Sequence, residues 1–392
     1  MPIQKILFGS PGTGKSYRIK TAIAQQVHVD INSPNYISTV FHPEYTYGDF
    51  IGKLVPLTRS GKVEYNFYTG HFTKAIGKAY KNLIEAKIEY DKERKETLEN
   101  YKKSISKTRQ EEFSEIEKEK LEEEYRKIKK QPKNVILVID ELNRGNSAAI
   151  FGIVFQLLDR SQSGWSEYPI MISDIEKIGL FGEIGFEEYM KGDDKKYEYE
   201  GKNVSKTEFD KYQGWIFEDL SPMEMITLEK NQIKIPPNLS IVATMNTSDN
   251  SIYFMDNAFK RRWDWEFVNI EDDNQRNVVE TRRINLYEHD TCAWNDFVDR
   301  LNAFIRSHYK TVRKIEDKQI GYFFINEQEI NHEHIKNKLM FFVWDSVFNT
   351  NRKPLTDLLE MHERDLVTFG QFTQQEVVKK FVQKIIQFNV RP

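Results

Sequence analysis

The chain has 392 residues, with 57 Lys and Arg against 60 Asp and Glu, a net charge of −3 that excludes a uniformly polycationic nucleic-acid binder while leaving room for a basic patch. Aromatic residues at 13% argue against wholesale disorder even with 30% charged residues. A single cysteine, Cys292, excludes an intrachain disulfide framework and a cysteine-based zinc cluster, and no apolar run approaches the roughly 18 residues of a membrane span. With no basic segment followed by an apolar stretch at the start, the expectation is a soluble cytoplasmic protein.

Residues 3–8 are mostly apolar and β-leaning, and they run into Gly9-Ser10-Pro11-Gly12-Thr13-Gly14-Lys15-Ser16, of the form G-x-x-x-x-G-K-S. Residues 15–26 then hold no Pro or Gly and place Ile19, Ala22 and Ile23 at helical spacing. Strand, glycine loop and helix thus follow in the order this phosphate-binding motif needs. The glycines let successive backbone N–H groups curl around phosphate oxygens, and the helix start adds partial positive charge. Lys15 is placed to reach the β- and γ-phosphates, and Ser16 to ligate Mg²⁺. An ordinary glycine turn is the competing reading, and the flanking strand and helix disfavour it.

Between Gly77 and Pro132 there is no Gly or Pro, and residues 81–131 carry 15 Lys or Arg and 14 Asp or Glu. Tyr80, Leu83, Ile84 and Ile88, then Leu98, Tyr101 and Ile105, then Phe113, Ile116, Tyr125 and Ile128 recur mostly three or four apart. The spacing predicts a salt-bridge-laced helical hairpin over 78–132 that turns near residues 104–110. It serves either as a solvated spacer or as an arm for a partner or DNA, and its balanced charge argues against tight phosphate tracking.

Val135-Ile136-Leu137-Val138-Ile139-Asp140-Glu141 follows. Five apolar residues predict a strand buried on both faces, as in a parallel sheet. Asp140 at its end is the expected holder of Mg²⁺ through water, and Glu141 the group that polarises the attacking water. Residues 161–235 form a second insertion, rich in Gly and aromatics such as Trp165, Phe181, Tyr199 and Trp215. They predict a small β-rich or mixed subdomain whose aromatics pack a core, with base stacking as the less common use.

A third buried-type strand, Leu239-Ser240-Ile241-Val242-Ala243-Thr244-Met245-Asn246, ends in polar residues. Open parallel sheets bind ligands at the C-terminal strand ends, so Asn246 is placed to orient a water, the alternative being an Asx-rich turn. Asp256-Asn257-Ala258-Phe259-Lys260-Arg261-Arg262-Trp263 comes next. Its paired arginines are either a surface basic spot or fingers that reach a neighbouring subunit's γ-phosphate in a head-to-tail ring. From about residue 274 the pattern is helical: Trp294, Phe297, Val298, Leu301, Phe304 and Ile305 share one face, as do Val377, Val378, Phe381, Val382, Ile385 and Ile386. His332 and His334 flank Glu333, but the surrounding residues look like a solvated helix start more than a metal site.

The order of phosphate loop, Asp-Glu strand, Asn strand and Arg-Arg resembles an AAA+ ring ATPase, and more narrowly the McrB family of GTP-dependent restriction motors. The narrower likeness lies in Phe41-His42-Pro43-Glu44-Tyr45-Thr46-Tyr47-Gly48-Asp49-Phe50-Ile51, in Ile139-Asp140-Glu141-Leu142-Asn143-Arg144-Gly145-Asn146, in Met245-Asn246-Thr247-Ser248-Asp249, and in Ile320-Gly321-Tyr322-Phe323-Phe324. It implies an α/β AAA+ P-loop NTPase with a parallel sheet, made of an α/β nucleotide-binding domain over 1–270, carrying the insertions 78–132 and 161–235, and an α-helical lid over 271–392.

The resemblance further implies a hexameric ring that hydrolyses GTP with Mg²⁺, works with a McrC-like nuclease subunit, and meets DNA directly or through a partner. Gly9, Ser10, Pro11, Gly12, Thr13, Gly14, Lys15, Ser16 and Tyr17 are then the nucleotide cradle, with Gly321 and Tyr322 approaching from the lid. Ser16 and Asp140 hold the metal, and Glu141, Asn246, Asp249, Arg261 and Arg262 serve catalysis. Asn250 stands where the family signature has Arg, which puts that residue's role aside. Longer members carry a DNA-reading domain ahead of the motor; here that task is expected of another subunit, of an insertion, or of a segment trimmed from this chain. Because a phosphate loop does not read the base, ATP remains the alternative nucleotide. An ATP-driven MoxR-like protein remodeller is the second reading, and a nucleotide-gated scaffold the third.

Overall fold

The computed structural model describes residues 1–392 apart from 60, 109–130, 222, 223, 225, 247–252, 254, 271, 272, 287–290 and 390–392. A five-stranded sheet is built from β1 (Gln4–Gly9), β2 (Tyr36–Val40), β3 (Val135–Asp140), β4 (Leu239–Asn246) and β5 (Asp264–Phe267), in the order β5-β1-β4-β3-β2. β2, β3 and β4 run parallel, with Val40 opposite Asp140 and Ala243 opposite Ile139. The first five residues of β3 are all buried, as a strand covered on both faces requires. Burying each such aliphatic side chain stabilises the fold by about 1.5–3 kcal/mol. The chain leaves β1 toward β2, β3 and β4 on one side and returns to β5 on the other, which makes the end of β1 a topological switch point.

Two compact units divide the chain. One holds residues 1–5, 20–243 and 252–264; the other holds residues 6–19, 244–251 and 265–392. In the first, a single helix, α1 (His71–Thr108), is 38 residues long, about 57 Å at 1.5 Å per residue. It starts earlier than the sequence predicts and stays helical through Thr108, so no turn falls at residues 104–108. The expected return arm, with Phe113, Ile116, Tyr125 and Ile128, lies outside the described residues. Tyr80 and Ile84 are buried along its seam. Gly77 lets α1 approach α2 (Asp174–Ile184) closely, for a Cβ there would lie 2.5 Å from that of Glu183.

The 161–235 insertion is mixed rather than mainly β. After α2 come three antiparallel strands, Phe186–Lys191, Asp194–Tyr199 and Lys202–Val204, and then α3 (Lys206–Ile216). Both helices open on a serine capping box, Ser173 with Glu176 and Ser205 with Glu208, which fixes where they start. Its aromatics pack on one another: Phe186 lies 4.7 Å from Phe209 and 5.6 Å from Phe181, ring centre to ring centre. The insertion is fastened to α1 by Tyr80, whose hydroxyl donates to Lys234 O (2.6 Å), and by the pairs Lys87–Glu218 and Lys211–Asp91. A hairpin of Gly52–Arg59 and Lys62–Thr69 pushes Phe67 against Gly179 of α2.

The second unit has its own core. α4 (Trp294–Ser307) buries Trp294, Phe297, Val298, Leu301, Phe304 and Ile305, and α5 (Gln375–Gln387) buries Val377, Val378, Phe381, Val382 and Ile385. The region is not wholly helical. Arg283–Asn285, Thr291–Ala293 and Glu329–Ile330 form a small sheet in which Ile284 faces both Cys292 and Ile330. Segments of two or three residues carry too little periodicity to be read in advance. His332 and His334 sit in a single turn, His332 against Glu333, and the described residues hold no cluster of three metal-ligating side chains. No described helix is long and apolar enough to cross a membrane.

Candidate functional site

The phosphate loop leaves β1 at Gly9. Gly12 and Gly14 take φ of +77° and +75°, left-handed values that side chains resist, and Gly14 is the residue just before the helix. Ser10 and Thr13 are buried, and the Thr13 hydroxyl donates to Ser10 O (3.0 Å). Lys15 is 7% exposed, and its ammonium donates to Gly9 O (3.0 Å) and Ser10 O (2.8 Å), which holds it inside the curl of the loop. The helix proceeds as Lys15–Arg18, a π-type stretch Ile19–Ile23, and Ala24–Gln26. Ser16 and Tyr17 are exposed on its first turn.

Residues 321 and 323 meet this loop main chain to main chain. Gly321 N–H donates to Pro11 O and Phe323 N–H to Gly12 O, both at 2.9 Å, and the Ser10 hydroxyl donates to Glu316 O (2.5 Å). A Cβ on Gly321 would lie 2.3 Å from Gly12 O, so only glycine fits. Tyr322 faces the other way. It is 2% exposed, its hydroxyl donates to Asp299 (2.6 Å), and its carbonyl accepts from the Trp294 indole (2.8 Å). Burial, with Asp299 beside it, pushes its phenol above the usual range. Its side chain packs within the C-terminal core, and Phe323, named from the sequence only as part of the 320–324 stretch, lies on the loop. Asn246 ends β4 half-buried, while Asp249, with Thr247 and Ser248, lies outside the described residues.

In the other unit, Asp140 ends β3, half-buried, and its carbonyl accepts from Phe41 N–H (2.9 Å). Glu141 then takes φ 57° and ψ 44°, a left-handed conformation that costs a non-glycine residue roughly 1–3 kcal/mol. The next turn is tied down by Arg144 N–H to Glu141 O (2.9 Å) and by the Ser147 hydroxyl to Leu142 O (2.6 Å). This strain at the predicted water-polarising carboxylate turns its backbone out of the strand.

Most of the 41–51 motif is packing. Phe41 and Phe50 are fully buried, and Thr46 with Asp49 caps the turn Tyr47–Phe50. The Lys53 ammonium and the Thr46 hydroxyl hold the Asp49 carboxyl down at about 2. Tyr45 meets His71 at 2.8 Å, and burial pushes its phenol up to about 12. Burial likewise lowers the His71 pKa.

The two adjacent arginines have different surroundings. Arg262 pairs with Asp159 (2.5 Å), donates to Ala258 O (2.8 Å) and lies 3.8 Å from the centre of the Phe155 ring, its side chain 8% exposed. Gln4 clamps the same turn by donating to Arg262 O (2.5 Å) and Leu158 O (2.7 Å). Arg261 is exposed. Nothing in the local sequence distinguishes them, because Asp159 is 103 residues away.

A glycine-rich phosphate loop on the first strand of a parallel α/β sheet is compatible with a P-loop NTPase. No family model matches the chain. It is 28% identical, over 366 residues, to a protein of Bacillus subtilis (strain 168) named Type II restriction enzyme BsuMI component YdiS, an alignment covering 92% of this chain and 82% of that protein. The similarity links the chain to restriction systems.

Proposed function

We propose that this chain is the nucleotide-hydrolysing motor subunit of a restriction system, an AAA+ protein of McrB type that favours GTP. One observation carries the reading: similarity to a restriction enzyme component runs through 92% of a chain that has a glycine-rich phosphate loop. A protein named as a component implies others, and a McrC-like nuclease subunit is the partner this reading requires, with DNA met directly or through it. The motor works as a ring, hexameric by the resemblance, its α/β part over 1–270 and its lid over 271–392.

The loop backbone from Gly9 to Tyr17 cradles the phosphates, and Lys15 compensates charge on the β- and γ-phosphates. Ser16 and Asp140 offer exposed or half-exposed hard oxygens, the donors Mg²⁺ prefers. When bound, the ion draws charge from the phosphate oxygens. Glu141 accepts the proton of the attacking water as the bond to the γ-phosphate forms and the bond to the leaving diphosphate breaks. Asn246, with Asp249 beyond it, orients that water. Arg261 extends to the γ-phosphate held by a neighbouring subunit, while Arg262 anchors the turn that presents it. Gly321 closes on the loop, and Tyr322 holds the closing segment to its core.

Turnover of GTP and ATP, measured side by side with and without the nuclease subunit, tests this reading. GTP-selective hydrolysis that rises with the partner is expected. ATP-selective hydrolysis that ignores the nuclease and responds to a protein substrate transfers the chain to the MoxR-like class. Tight binding without turnover of either nucleotide leaves only the scaffold.

A further inference from the structure

The insertion over residues 161–235 holds a cavity of about 260 Å³ that the nucleotide chemistry does not use. One wall is a face of α3 and the residue that follows it: Asp210, Gln213, Gly214 and Phe217 recur at helical spacing. The other wall is residues 226–229, where the Thr227 hydroxyl accepts from Lys230 N–H (3.3 Å) and caps a one-turn helix. Phe217 is 2% exposed, and its ring lies 5.5 Å from that of Tyr80 and 5.9 Å from that of Trp165, which fixes it in place. Ile226 and Leu228 are buried as well. Among these apolar groups stands Gln213, 7% exposed, whose Oε1 meets no hydrogen-bond donor among the described residues. A buried acceptor without a donor is costly, so this oxygen calls for a donor from outside. Beside it a Cβ on Gly214 would meet nothing within 4 Å, so the cavity is open there.

These walls fit an apolar body with a hydrogen-bond donor at its tip. A water would satisfy Gln213 but leave the surfaces of Phe217, Ile226 and Leu228 unused. Charge selects further. The two charged residues of the lining, Asp210 and Glu229, are both acidic, and a single ammonium, that of Lys206, serves both. One negative charge is thus in excess at the mouth, which favours a cation and opposes a phosphate-bearing ligand. The volume lies below the roughly 300–1,000 Å³ of sites for drug-sized molecules, so it suits one side chain. An arginine joins these properties. It has an apolar stem, a planar guanidinium that stacks on aromatic rings, and donors fixed in a fork that reaches an amide oxygen and a carboxylate together. We propose that this cavity captures an arginine side chain presented by a partner protein, with Gln213 Oε1 and the Asp210 and Glu229 carboxylates as its acceptors. The site is independent of the phosphate loop and stands whether or not the chain turns over a nucleotide.

Ligand-observed saturation-transfer NMR of the full chain tests this with three probes: the capped tripeptide acetyl-Ala-Arg-Ala-amide, its norleucine counterpart, and the nucleoside deoxycytidine. The arginine peptide is expected to bind, with saturation strongest on its side-chain methylenes. The norleucine peptide keeps the stem and loses the donors, and is expected to bind roughly 10-fold more weakly or less. Gln213→Met keeps the volume and removes the acceptor, and is expected to weaken the arginine peptide by about 10-fold. Gly214→Leu fills the open space beside α3 and is expected to abolish binding while Tm stays at or above the parent's, since a helix prefers leucine to glycine. Equal binding of the arginine and norleucine peptides overturns the guanidinium as occupant. Equal binding of the arginine peptide by the parent and either variant overturns the cavity as its site. Deoxycytidine bound in preference to the peptide, and lost in Gly214→Leu, makes the cavity a base pocket and overturns the proposal, as does a parent chain that transfers no saturation to the arginine peptide.

Discussion

The phosphate loop and the segment around Arg261 are both short turns at the end of an element, and they are held in opposite ways. Around Gly12 and Gly321 main chain lies on main chain, with carbonyls of the loop accepting from N–H groups of residues 321 and 323. Side chains are excluded there, because a single Cβ on either glycine meets backbone at 2.6 Å or less. Around Arg262 the turn is held by side chains: an ion pair to Asp159, a ring under the guanidinium, and Phe259 stacked on Phe155 at 6.0 Å. A site that binds phosphate needs backbone N–H groups brought close to the ligand, which only small residues allow. A segment that leaves one long cation exposed on a short turn is held by bulk behind it. The difference teaches that identical residue types on adjacent positions, as at 261 and 262, can be one exposed and one anchored.

The largest effect is expected where that contrast is sharpest. Arg261→Ala should lower turnover of the assembled motor by about 10³-fold or more and leave stability within about 0.5 kcal/mol of the parent. Arg262→Ala should instead cost about 1–3 kcal/mol of folding stability, because it strips the partner from Asp159 and uncovers Phe155. Steady-state turnover and urea unfolding of both variants decide it, and an exchange of the two phenotypes would reverse the assignment. Mixing Arg261→Ala with Lys15→Ala subunits should recover part of the activity if the arginine acts on a neighbour.

Glu141→Gln should slow hydrolysis by about 10²–10⁴-fold while nucleotide binding stays intact. Parent-like turnover in that variant removes the proton-accepting role. On the backbone side of the comparison, Gly321→Ala should cost about 1–3 kcal/mol and weaken nucleotide binding, since the loop and the 321–324 turn must separate to admit the methyl group. Stability and affinity equal to the parent's would mean that this contact is not kept in solution.

The smallest effect concerns Asp49, outside both regions. Its folded pKa is lowered to about 2 by the Lys53 ammonium and the Thr46 cap, so its contribution is present above the usual carboxylate range and is lost as pH falls through about 2. The carboxylate is partly exposed, so solvent screening keeps the term below about 1 kcal/mol. Asp49→Ala should therefore lower Tm slightly near neutral pH, with the difference from the parent closing as pH drops toward 2. A gap that widens on acidification contradicts the cap.

Several features were legible in the chain because the residues that make them are neighbours in it. The glycine loop, the apolar run ending in Asp140 and Glu141, and the one-sided faces of α4 and α5 are local patterns with periods a sequence shows directly. The hairpin of residues 52–69 is not legible in the sequence because its strands alternate weakly and stay largely exposed. The short strands near 284, 292 and 330 are too brief to carry a period.

By itself, then, the sequence determined where phosphate chemistry is possible, since Gly12, Gly14, Lys15 and Ser16 must be adjacent to curl around an anion. It also determined which helix faces would be buried. Only the tertiary structure decided that Tyr322 turns into the C-terminal core while Phe323 lies on the loop, and that Arg262 is anchored while Arg261 stays exposed. Those outcomes depend on Asp299, Tyr17 and Asp159, partners 23, 306 and 103 residues away along the chain. A side chain's direction is set by what folds against it, and that information is spread over the whole chain.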